Sequence, residues 1–85
     1  MLTLNARFTA LEHQRKIFCL ETLEGILITQ IEDIEKRQHV YMHPTSRDLL
    51  HLRHDTLMAM LSLVEVHLQQ HREDLIYLLQ DAIFN

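Results

Sequence analysis

The chain is expected to be all-α, an antiparallel hairpin of two long helices completed to a four-helix bundle by dimerisation. Three observations predict this. Positions spaced alternately four and three apart run without a break through Leu50, His54, Leu57, Leu61, Val64, Leu68, His71, Leu75 and Leu78, which is the spacing of a helix that lays one seam against another helix. The 85 residues include one glycine and one proline, too few for a turn-rich β architecture. Neither residue type occurs after Pro44, so nothing stops a helix that begins there.

The elements follow in order. Helix 1 is expected over about residues 5–38, with Asn5 as its N-cap. Leu4, Phe8, Leu11 and Phe18 share one side. A second set, Ile17, Leu20, Leu23, Leu27, Ile31 and Ile34, faces nearly the opposite way at about 100° per residue. With no Gly or Pro at the change of phase, a continuous helix with two seams is preferred to a break near residues 13–16. Glu12–Lys16, Glu32–Lys36 and Asp33–Arg37 have the favourable acid-first i,i+4 order. Gly25 and the β-branched run behind it weaken the helix. However, no second β-rich segment exists to pair with a strand, so the helix is retained. Gly25 reads either as a tolerated surface glycine or as a point of close helix approach.

A turn is expected over residues 39–45, because Pro44 biases His43 away from helical geometry. Thr45 to Asp48 then reads as an N-cap with an acidic first turn. Helix 2 is expected over about residues 46–84. The whole chain, 1–85, makes one domain, and two helices of about 50 and 60 Å joined by a short turn make a hairpin. The initiator Met1, with a helix reaching the last residues, reads as a complete small protein.

Helix 2 carries a second apolar line, Leu52, Ala59, Leu63, Val66, Tyr77 and Phe84, well over 100° around from the seam. Helix 1 can cover only one of the two. The second is therefore assigned to an interface with another chain, either a second copy or a helical partner protein.

Composition narrows the function classes. An apolar fraction of 47% is that of a folded chain. Net charge is −4, and neither half has a basic excess: residues 1–43 carry five basic and six acidic side chains, residues 44–85 three and six. A nucleic-acid partner is not expected. The longest apolar run, Leu57 to Leu61, is far short of the roughly 20 residues of a membrane span, so no membrane partner is expected. Cys19 is the only cysteine. It excludes an intrachain disulfide and points to a reducing, cytoplasmic location. It reads as a small buried thiol rather than a nucleophile. No catalytic constellation stands out, and no enzyme activity or cofactor is expected.

Seven histidines raise one alternative. His67 and His71 are i,i+4, a spacing at which two imidazoles share a metal. In a hairpin turning near residue 42, His71 falls opposite residue 13 or 14. His13, His67 and His71 could then gather, with Glu12 or Asp74 as ligand or supporting carboxylates. The preferred reading has no metal and treats His54 and His71 as polar seam positions that specify register.

The layout of a helix, a short turn and a second amphipathic helix is similar to that of the small helical-hairpin co-chaperones of type III secretion needle proteins. The resemblance covers architecture alone and implies a small chaperone. The reading of the residues themselves is a non-enzymatic interaction module, acting as an adaptor, regulator or small chaperone through helix–helix association.

Overall fold

A computed structural model describes residues 3–38, 40 and 42–84, with side chains to residue 81. It contains two helices, α1 (Leu4–Arg37) and α2 (Pro44–Phe84), and no strand among the described residues. They pack along their length as an antiparallel hairpin, a rod of 62 × 15 × 14 Å. The radius of gyration is 18.9 Å, against about 12 Å for a compact domain of this length.

α1 is continuous through residues 11–17. Its inner seam is Ala6, Ala10, His13, Ile17, Leu20, Glu24, Leu27, Ile31 and Ile34, every one buried or half-buried. This is the same alternation of four and three as in α2, so the seam does not begin at Ile17. Leu23, grouped with the seam on hydrophobicity, is instead exposed. The spacing from Leu20 to Leu27 passes through Glu24, and Leu23 stands 100° off the line.

On α2, Leu50, His54, Leu57, Leu61, Val64, Leu68, His71, Leu75 and Leu78 are all buried or half-buried. The core is one cluster of Leu27, Ile31, Ile34, Leu57 and Val64, with Leu20, Leu50 and Leu61 packed at its edge. Leu68 and Leu27 are the most enclosed, at 1% and 2% exposure. The cluster lies toward the turn. Farther from the turn, Ala10 and Leu68 are the buried residues among those described, and beyond Ile17 the α1 seam consists of the small or polar residues His13, Ala10 and Ala6. The hairpin is thus packed most heavily near its turn.

Both helix starts differ from expectation. Thr3, not Asn5, caps α1: its Oγ1 accepts the Ala6 N–H at 3.1 Å. Asn5 already lies inside the helix, where its carbonyl accepts from the Thr9 hydroxyl. α2 begins at Pro44, not at residue 46. Proline fits the first helical position because its missing N–H would have had no helical partner there. His43 does the capping expected of the Thr45–Asp48 segment. Its Nδ1 accepts the Thr45 N–H at 3.3 Å and its carbonyl accepts the Arg47 N–H at 3.0 Å. Pro44 holds His43 out of helical geometry, which is the state a cap requires. Asp48 falls outside the first turn. The connection is therefore short, with Gln38 closing α1 on the Ile34 carbonyl. Residues 39 and 41 of the expected turn lie outside the described set.

The surface pairs Glu12–Lys16 and Asp33–Arg37 close at 3.4 and 3.0 Å. Arg72–Glu21 at 2.9 Å and His54–Glu35 at 3.2 Å tie the two helices together. Such pairs, half in water, contribute about 0–1 kcal/mol each, so the apolar seam holds the fold.

A Cβ built at Gly25 would meet no heavy atom within 4 Å. Of the two readings of this residue, the structure matches the surface glycine and not the close-approach point. Gly25→Ala is accordingly expected to stabilise the hairpin by about 0.5–1 kcal/mol, by removing the entropy cost of glycine in a helix. Urea denaturation followed by circular dichroism reads this directly. A loss of stability would mean that another backbone does press against this position.

Candidate functional site

Two features on this rod have chemical or binding character: the apolar faces left outside the seam, and a histidine cluster within it.

Leu52, Ala59, Leu63, Val66 and Tyr77 are all exposed, with Leu63 at 62%, Val66 at 66% and Tyr77 at 76%. The side chain of Phe84, the sixth residue of this line, lies outside the described residues. At about 100° per residue the line falls roughly 180° around α2 from the seam. α1 repeats the arrangement. Leu4, Phe8, Leu11 and Phe18 are exposed at 60% or more and also lie across their helix from its seam. Met58 and Met60 add flexible apolar surface beside the α2 stripe. The hairpin thus has one covered seam in the middle and an uncovered apolar stripe along each outer edge.

The histidines separate into different settings. His54 is half-buried in the α2 seam and reaches Glu35 of α1. His13 and His71, also seam residues, meet with their Nδ1 atoms 3.1 Å apart and ring centroids 5.3 Å apart. Asp74, one turn beyond His71, brings a carboxylate oxygen into the same place. The three candidate ligand atoms lie within 4.8 Å of one another. Asp74 is itself oriented by Gln70, whose Nε2 donates to Oδ1 at 2.9 Å.

His67 is exposed and takes no part in this group. It lines an open groove with His71, Arg15, Lys16, Cys19 and Leu20. The trio His13, His67 and His71 is therefore replaced by His13, His71 and Asp74. The reason is axial: His67 and Asp74, seven residues apart, face within about 20° of each other on α2, but His67 stands one turn nearer the hairpin turn than His71 and Asp74 about one turn farther, and the carboxylate is the one that meets His13. Glu12, the other carboxylate considered, is bound to Lys16.

Cys19 is exposed rather than buried. It stands one position before the seam residue Leu20, so its side chain turns outward to the groove. Its neighbours there, Arg15 and Lys16, come from its own helix one turn away.

Among the described residues no helix is long and apolar enough to cross a membrane. In comparison with known proteins, no family model, no curated protein and no solved structure matches this chain.

Proposed function

We propose that this chain is a non-enzymatic helical interaction module that associates with a second copy through the outer stripe of α2, Leu52, Ala59, Leu63, Val66, Tyr77 and Phe84. One observation carries the reading. The chain leaves 6725 Å² accessible, whereas a compact protein of 10.2 kDa exposes about 5,300 Å². The excess of about 1,400 Å² exceeds the roughly 800 Å² per partner that a stable interface buries. Much of the uncovered surface is apolar and arranged in helical stripes, a form that another helix fits.

The position of the stripe bears on how the four helices of a dimer sit. A square bundle needs each helix to turn one face to a common centre. A stripe lying across α2 from the seam instead favours two hairpins side by side, α2 against α2, in an extended four-helix layer. The stripe of Leu4, Phe8, Leu11 and Phe18 then remains on each outer edge. This supports an adaptor, regulator or small-chaperone role, in which one stripe assembles the protein and the other receives a helical partner. A cytoplasmic location fits the lone cysteine, and the acidic balance disfavours nucleic acid as the partner.

Sedimentation equilibrium over a range of concentrations tests the reading. The expected result is a species of twice the chain mass that dissociates on dilution. A strictly monomeric protein at every concentration would contradict it.

A further inference from the structure

We propose that His13, His71 and Asp74 form a binding site for a zinc-class divalent cation that clamps α1 to α2 at the end of the hairpin away from the turn. The geometry is that of a three-ligand site. Two nitrogens bound to one tetrahedral zinc at about 2.0–2.1 Å stand about 3.3 Å apart. The two Nδ1 atoms are already 3.1 Å apart and face each other.

Without a cation, one ring must carry its proton on Nδ1 and donate to the other. With both rings as neutral Nε2–H tautomers, two lone pairs converge on one point and binding releases no proton from either. Asp74 completes the set. Its oxygen lies within 4.8 Å of the nitrogens, so it has to draw in by at most about 1.5 Å to reach ligand spacing. Gln70 already holds Oδ1, the kind of supporting hydrogen bond that orients a metal-binding carboxylate. Two imidazoles and one carboxylate suit zinc rather than magnesium or calcium, which prefer all-oxygen shells. A fourth position is left for water from the open groove beside His71.

The location gives the site a purpose. His13 and His71 are 58 residues apart in sequence, and the buried cluster lies nearer the turn. A cation here would close the thinly packed end, where α1 offers only Ala6, Ala10 and His13 to the seam.

The test is calorimetric titration of the untagged protein with zinc chloride, with magnesium chloride as control and thermal melts alongside. The expected result is one zinc per chain, a higher melting temperature with zinc, and no change with magnesium. Cobalt(II) should give the visible absorption of a tetrahedral site. Asp74→Asn should keep its helix content and bind zinc at least about tenfold more weakly, whereas His67→Ala should bind as the wild type does. Because a single histidine deletion could disturb the hairpin, the decisive variant is His13→Leu combined with His71→Leu. It continues the apolar seam, so it should fold at least as stably as the wild type without metal, and it should lose zinc binding. Absence of stoichiometric zinc in the wild type would overturn the proposal, as would undiminished binding in the folded double-leucine variant. Loss of binding in His67→Ala but not in Asp74→Asn would overturn the ligand set.

Discussion

Leu68→Ala should destabilise the hairpin by about 2–5 kcal/mol, the usual range for emptying a buried leucine site. Leu68 is the most enclosed side chain, at 1% exposure, and it lies between the main cluster and the sparsely packed far end. A rod only two helices thick has few neighbouring side chains to collapse into the cavity, which argues for the upper part of the range. A chain of 85 residues has a total stability of only about 4–13 kcal/mol. The variant should therefore be close to unfolding at room temperature. Urea denaturation at one fixed protein concentration checks this, since self-association would add its own contribution. By contrast, Arg72→Ala removes the Glu21 pair from a site that is nearly half exposed and should cost about 1 kcal/mol or less. If Arg72→Ala proved the more damaging of the two, the seam would not be what holds the helices together.

Leu63→Glu should act on assembly and leave the fold intact. Leu63 is 62% exposed in the single hairpin, so a glutamate there is hydrated in the monomer. In the proposed interface it would be buried with no cation to meet it, at a cost of about 3–5 kcal/mol, or roughly 10²–10⁴-fold in dissociation constant. Light scattering should report the single-chain mass at concentrations where the wild type associates, with an unchanged far-ultraviolet spectrum. Unfolding of Leu63→Glu would show that this face is needed by the hairpin itself. An unchanged mass would place the contact between chains elsewhere.

How legible this molecule was in its sequence depends on side-chain size along each seam. On α2 seven of the nine seam positions are large aliphatics, so the periodicity read clearly and the same residues are buried or half-buried in the structure. On α1 the turn-proximal half read equally well through Leu27, Ile31 and Ile34. Ile17 and Leu20 read correctly too, but the stretch before Ile17 did not, because the seam there is Ala6, Ala10 and His13 while Phe8 and Leu11, with Phe18, face outward. Ranking by hydrophobicity picks the wrong face when small residues line the contact and large ones stand exposed; spacing alone, extended backward from Leu27, gives the right one. Similarly, His13 opposite His71 followed from the hairpin register, but choosing Asp74 over His67, which share nearly one angle on α2, required the axial offset of the two helices. The caps were misplaced by local competition: Thr3 and Asn5 both suit an N-cap, and Pro44 at the first helical position left His43 the capping role. Cys19 next to Leu20 read as buried, although one position is 100° of helix.

The inner seam builds the hairpin, and in the proposed assembly the outer stripes meet another chain. Residue-resolved covalent footprinting, above and below the concentration at which the mass doubles, tests that division most directly. The account predicts that Leu52, Leu63, Val66 and Tyr77 become protected as the chains associate, while Leu57, Val64 and Leu68 are protected at every concentration. Association without protection of the α2 stripe, or seam residues labelled as freely as the stripe in the dilute protein, would contradict it.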